Sequence, residues 1–221
     1  MSYTQALRAQ PRDSMVIQFS GRSIIPPRLR DAQDLRLLHL VRDPRDMLIS
    51  ATHYHLKADE PWLVEPSEDF GGLTYCDRLA QEDGLEAQLL FEMEHHHAEV
   101  VDDMMAWPTD RQNVYEARYE NLIADREMVE FRKIFEFLGF EPDEIERALQ
   151  IVWKGSLFGS LEAEKVRLHD TSHIRSGRAG QWRDHFTPHL ARAYADRHGA
   201  VLARLGYAAD DAWVEECRGT P

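Results

Sequence analysis

Apolar positions along the chain fall into short continuous runs and longer stripes at helical spacing, and the two kinds alternate. Met15-Val-Ile-Gln-Phe19 is a short run closed by Ser20-Gly21, and Leu35 to Val41 is a second, stronger one. Their lengths and bounding turn residues predict two buried strands, with Ile24-Ile-Pro-Pro27 as a loop or single turn between them. Directly after Val41, Asp43 is a good N-cap and Pro44 suits the first helical position, which predicts a helix through about Lys57. Ala58 to Gly72, with Pro61, Pro66 and paired glycines, reads as a loop, and a helix is expected from about Glu82 to Trp107, closed by Pro108. Asn113 to Tyr119 alternates like a strand. Asp125 then caps a helix whose Met128, Phe131, Phe135 and Leu138 form one apolar stripe, ended by Gly139. Pro142 opens another helix through about Trp153, and Thr187-Pro188 starts a last long helix ending near Gly206.

Strands alternating with helices predict an α/β fold of three layers, a central parallel sheet flanked by helices. Ligands in such folds sit at the carboxyl ends of the strands. At 221 residues, 43% hydrophobic and 29% charged, the chain suits one soluble domain over 1–221, with 1–14 irregular and 207–221 a C-terminal tail. The longest apolar stretches fall far short of the ~20 residues that span a bilayer. The N-terminus lacks an apolar core of signal-peptide length, and Cys76 and Cys217 alone cannot make a disulfide framework, so a cytoplasmic setting is expected.

The net charge of −13 argues against nucleic acid or an anionic membrane as partner. It is also local: between Asp59 and Asp103 fourteen acidic residues face Arg78 alone. Lys165, Arg167, Arg175, Arg178 and Arg183, by contrast, are opposed only by Asp170 in that stretch, so an anionic ligand would look there.

Two constellations could carry chemistry. Arg42 stands at the carboxyl end of the strand, just before a helix whose free N–H groups favour an anion, and Ser50 lies two turns into that helix. Ile174-Arg-Ser-Gly-Arg-Ala-Gly-Gln-Trp182 has two glycines three apart, which let the backbone bend closely round a ligand while Arg175 and Arg178 supply charge. The bland alternatives are a helix start with a surface arginine and a solvated basic loop. His95-His96-His97 invites a metal reading, but consecutive helical residues diverge by ~100°. A solvated face with Glu92 and Glu99 is the expectation there, and no metal is assigned. His39 on its apolar strand reads as a core histidine.

Together these segments resemble the cytosolic-type, PAPS-dependent sulfotransferases. VRDPRDMLISATHYH resembles the stretch that binds the donor's 3′-phosphate, and IRSGRAGQWRDHFT resembles the late Arg-Lys-Gly…Gly-Asp-Trp…Phe-Thr segment. VYEARYENLIADREMVEFRKIFEFLGF is similar to the strand ending in Tyr-Glu-Asp and its following helix. The resemblance implies a P-loop-like fold and sulfuryl transfer from 3′-phosphoadenosine 5′-phosphosulfate (PAPS), without metal, to a small-molecule acceptor hydroxyl or amine. It makes Arg42 and Ser50 ligands of the 3′-phosphate, with Arg175, Ser176 and Gly177 closing over it. Tyr119 would touch the adenine, and Phe158 would stack on it.

Departures from the pattern matter as much. Ser176 stands where the family usually has Lys, and Gln181 where it usually has Asp, in a turn. Nothing resembles the Pro-Lys-Ser-Gly-Thr-Thr-Trp loop that holds the 5′-phosphosulfate, and the family's catalytic His and nearby Lys fall on Ser20 and Gln18. The expectation is a sulfotransferase lacking its first strand and loop, through truncation, a late start codon or degeneration. The alternative is a non-catalytic adenosine-bisphosphate-binding or scaffold protein; a P-loop nucleotide kinase is disfavoured by the absence of Gly-x-x-x-x-Gly-Lys-Ser/Thr. No general base is assigned: His53 and His55 are the nearest candidates and read as surface residues.

Overall fold

The computed structural model describes residues 35–108, 110–156 and 177–220. The expected strand at Met15–Phe19, together with Gln18, Ser20, Phe158, Arg175 and Ser176, lies outside the described residues.

Strand β1 (Leu37–Val41) pairs in parallel with β2 (Val114–Arg118), in a register that sets Val41 against Arg118. Only alternate β1 positions are buried: His39 and Val41 face the packed helices, whereas Leu38 and Leu40 stay 39% and 55% exposed. The expectation of a strand buried on both faces is corrected to that extent.

Helix α1 (Pro44–His55) begins as expected, with Asp43 accepting from the Arg45 N–H and Pro44 in the first turn. The stretch expected as loop contains a short helix α2 (Pro61–Val64) and a 3-10 turn (Glu68–Phe70), followed by α3 (Tyr75–Ala80) capped by Thr74. The single helix expected over 82–107 is broken at His95, whose backbone (φ −109°, ψ −105°) is not helical, giving α4 (Gly84–Glu94) and α5 (His96–Met105). The break lets one apolar series pack under α3 and the other against β1. Tyr119 opens a short α6 (Tyr119–Ala124) instead of ending β2.

The Asp125 carboxylate accepts from the N–H groups of Val129, Glu130 and Phe131, the first turn of α7 (Val129–Leu138), so it caps from outside the helix. Helix α8 (Pro142–Gly155) carries a capping box between Glu141 and Glu144. A short α9 (Trp182–His185) precedes α10 (Pro188–Arg204), capped by Thr187.

The main core joins Leu48 and Ile49 of α1, Leu89 and Met93 of α4, and Leu190, Tyr194 and Leu202 of α10 with Trp182 and Phe186. Trp213 and Val214 belong to it as well, from a 3-10 helix (Asp211–Glu216). Residues 207–220 are therefore no loose tail: Arg218 N–H donates to Arg183 O (2.6 Å) and Gly219 N–H to Phe186 O (2.9 Å).

Two histidines are buried where α5 meets α10. His97 shares a 3.0 Å hydrogen bond with the Tyr194 hydroxyl, and its ring lies 5.6 Å from that of His198. Burial pushes His97 down to about 3, with His198 adding to the effect, and His198 down to about 4. Both rings are neutral in the folded chain but take up protons near pH 6.5 when unfolded. Stability is therefore expected to fall as pH drops below about 6.5, by up to about 1.4 kcal/mol per pH unit for each ring. Urea melts between pH 7.5 and 5 measure this slope, and His97→Gln should roughly halve it; an unchanged midpoint across that range would contradict the assignment.

Candidate functional site

Arg42 leaves the end of β1 and Tyr119 the end of β2, so the parallel register delivers both to one edge of the sheet. The Arg42 guanidinium carbon lies 4.6 Å from the centre of the Tyr119 ring. Arg42 Nη2 reaches Arg178 O at 3.5 Å, and the Tyr119 hydroxyl donates to Gly177 O at 2.9 Å. Arg42, Tyr119 and Gly177, three of the residues singled out in the sequence, thus meet at the carboxyl ends of the strands. Arg42 Nε is buried with no hydrogen-bond partner among the described residues, an unspent donor of a cation.

The loop 177–181 bends as its glycines require. Gly177 and Gly180 adopt φ of +62° and +76°, a left-handed conformation that costs glycine little. Buried Asp46 holds the far end of that bend: its Oδ2 accepts from Gly180 N–H (2.6 Å) and its Oδ1 from Trp182 N–H (3.0 Å). Burial pushes the Asp46 carboxyl up, against the pull of the Trp182 N–H. The two bonds recover only part of what desolvating the carboxylate costs. Ser50 follows Asp46 by four residues, one helical turn further along α1, and is half-buried.

Below the loop, Arg45 is 2% exposed and bonded through Nε and Nη2 to both oxygens of Asp43, at 2.9 and 2.7 Å. Its guanidinium carbon lies 3.8 Å from the Trp182 ring centre and 4.7 Å from that of Trp213. Gln181 lies in a turn, as expected, and is buried there, its Nε2 donating to Arg178 O at 2.8 Å. A cleft of about 300 Å³ opens beside the loop, lined by Asp43, Glu120, Gly180, Arg183 and Tyr207 among others.

The sequence reading missed Asp46, Arg45 and Glu120. The available signal was a charged run, Arg42-Asp43-Pro44-Arg45-Asp46, too polar for a helix start that must be buried against a core unless its charges are paired internally. Two histidine expectations are corrected. His55 is buried, its Nδ1 2.9 Å from Glu92 Oε2, which also accepts from the Tyr75 hydroxyl at 2.9 Å. Glu92 is fully buried and His97 nearly so, so the expected solvated face around His95–His97 is instead partly core, because the break at His95 turns these side chains inward. His53 is half-buried, bonded to Ile49 O. His39 is a core residue as expected, stacked at 4.3 Å on Trp107, with burial lowering its basicity.

A sequence model of the sulfotransferase domain matches residues 22–206. The chain belongs to the sulfotransferase family. Among curated sulfotransferases it is similar to Sulfotransferase 2A1 of Rattus norvegicus, 27% identical over 72% of this chain and 54% of the relative. Sulfotransferase 2A2 of the same organism is 28% identical over 72% of this chain and 53% of the relative. The chain therefore spans about half the length of the curated relatives it matches. A crystal structure of retinol dehydratase in complex with androsterone and inactive cofactor PAP superposes with a TM-score of 0.53 at 21% identity, covering 90% of this chain and 56% of that one. This likeness supports the sulfotransferase fold, an α/β architecture with a parallel sheet.

In this sulfotransferase chain the loop should loosen when its anchor is removed. Asp46→Ala leaves the buried Trp182 N–H and the part-buried Gly180 N–H without that acceptor, at about 1–3 kcal/mol for the buried one. The expected outcome is a loss of about 2–4 kcal/mol in denaturant unfolding, with faster amide exchange at Gly180 and Trp182. Asp46→Asn, which keeps one acceptor, should lose less. Unchanged exchange at both amides in Asp46→Ala would show that something else holds the bend.

Proposed function

We propose that this chain binds the nucleotide of PAPS and serves sulfuryl transfer to an acceptor hydroxyl or amine, with the donor's 3′-phosphate at the edge formed by Arg42, Ser50 and Gly177 and its adenine against Tyr119. The observation that carries the reading is the convergence of Arg42 and Tyr119 on the 177–180 loop, with Arg42 Nε buried and without a hydrogen-bond partner among the described residues. A phosphate oxygen there would satisfy that donor. Arg175 and Ser176 precede Gly177 directly and would close over the same group, and Phe158 would stack on the adenine. The soluble, single-domain reading over 1–221 belongs to this proposal, as does a small-molecule acceptor.

Sulfuryl transfer breaks the bond between sulfur and the bridging phosphate oxygen and forms one to the acceptor oxygen or nitrogen, whose proton must go to a base. Positioned cations stabilise the charge that develops on the leaving bisphosphate. The four lysines of this sequence are Lys57, Lys133, Lys154 and Lys165, and none stands in a Pro-Lys-Ser-Gly-Thr-like stretch. The 221 residues therefore carry the 3′-phosphate half of a donor site more completely than the 5′ half. The second reading is an adenosine-bisphosphate-binding protein that does not itself turn over.

Titration calorimetry with adenosine 3′,5′-bisphosphate tests the first part. Binding is expected, and Arg42→Ala should weaken it about 10- to 100-fold, since charge-assisted hydrogen bonds contribute about 1.5–3 kcal/mol each. No effect of Arg42→Ala would move the nucleotide elsewhere.

Labelled phosphosulfate separates the two readings. The expected outcome for the 221-residue chain is binding without turnover, because a lost electrostatic donor costs about 10²–10³ in rate and a lost base about 10²–10⁴. Turnover abolished by Arg42→Ala would assign the missing roles to residues of this chain.

A further inference from the structure

We infer that Glu120 is a positioning residue for the nucleotide site: its carboxylate, held by Tyr207, ties together the ends of the two strands so that Arg42 and Tyr119 keep a common orientation toward the 177–180 loop. The inference rests on the nucleotide-binding reading and adds to it a residue that does not touch the ligand.

Regular pairing between β1 and β2 ends at Val41 and Arg118. Arg42 and Tyr119 are the next residues on each side, beyond the last ladder bond, and each is followed at once by the turn into a helix. Strand ends without cross-bonds diverge, because each strand twists about its own axis. Here the divergence is checked one residue further on. Glu120 Oε1 accepts from Asp43 N–H at 2.9 Å, joining the residue after Tyr119 to the residue after Arg42. The carboxylate also lies at the start of α1, where a negative charge is favoured by the free N–H groups of the first turn.

The other oxygen is committed as well. Glu120 Oε2 accepts from the Tyr207 hydroxyl at 2.9 Å, so the carboxylate cannot swing toward solvent without breaking two bonds. Burial, reinforced by the adjacent Glu120 charge, pushes the Tyr207 phenol up and keeps it a donor. Tyr207 is itself placed by Gly206, at φ +70° after the end of α10, and by Arg118, whose guanidinium carbon lies 4.9 Å from its ring centre. The C-terminal end of α10 thus braces the carboxylate. The carboxylate braces the two turns, and the turns aim the cation and the aromatic ring.

Calorimetry of the full 221-residue chain with adenosine 3′,5′-bisphosphate tests the inference through a double-mutant cycle. Glu120→Gln keeps the size but sets an amide N–H₂ against one of the two donors. It should weaken binding about tenfold, and Tyr207→Phe about threefold. In an Arg42→Ala background, Glu120→Gln should change the residual affinity no more than about threefold, because only Tyr119 is then left to aim. A general loss of stability would instead weaken both backgrounds alike.

If Glu120→Gln fails to fold, Tyr207→Phe in the same two backgrounds carries the cycle. The inference is overturned if the folded variant binds like the unsubstituted chain, or if its effect is equal with and without Arg42. Absence of binding by the unsubstituted chain would overturn the nucleotide reading itself, a different result from tight binding that ignores Glu120.

Discussion

A buried carboxylate at the start of α1 holds the rest of this structure in place. Asp46 accepts from the backbone at both Gly180 and Trp182, so the helix that follows β1 and the loop that precedes α9 are pinned more than 130 positions apart in the chain. Trp182 can then drop into the core against Leu48, Ile49 and Trp213, and the loop's left-handed glycines turn back over the strand ends. The carboxylate is costly to bury, as the rise in its proton affinity shows. What it returns is definition: two backbone donors that the loop could not satisfy internally acquire one acceptor with a fixed position.

Arg45 is the counterpart of that constraint on the other side of the helix start. A guanidinium at 2% exposure is tolerated because three needs are met together: bidentate pairing with Asp43, aromatic faces from Trp182 and Trp213, and the closing of the C-terminal segment over it. A buried ion pair contributes little when its partners are imperfectly bonded and is strongly destabilising when one partner is lost. The segment 211–216 is consequently part of the architecture around the start of α1, through Trp213, although it lies far from Arg45 in sequence. The charge of the chain is partitioned in the same way. Glu92, from the acidic stretch, is spent in the core on His55 and Tyr75, while Arg42 Nε, at the carboxyl ends of the strands, is buried without a hydrogen-bond partner among the described residues.

Local chemistry in the sequence was enough for much of this. Asp43-Pro44, Thr187-Pro188, Asp125 and Gly139 are signals whose effect is confined to one helical turn, and each structure they announce is present. The strands around Leu37–Val41 and Val114–Arg118, and the meeting of Arg42, Tyr119 and Gly177, follow from patterns contained in a few neighbouring residues and from the resemblance of three segments in order. Membership of the sulfotransferase family was legible for the same reason: backbone turns and charge placed next to strand ends leave a local record.

Tertiary structure alone decided what depends on partners distant in sequence. Nothing near Asp46 or Glu120 announces that their acceptors will meet Gly180, Trp182 and Tyr207. A carboxylate reads as surface until a fold supplies buried N–H and O–H donors for it. The break at His95 was invisible because its neighbours are good helix formers, and it is set by the need to pack α4 and α5 against different parts of the core. The fate of His55, Glu92 and His97 turned on the same point. Burial of a polar side chain is fixed by whether the rest of the chain brings a partner to it, and the residues beside it in sequence do not carry that information.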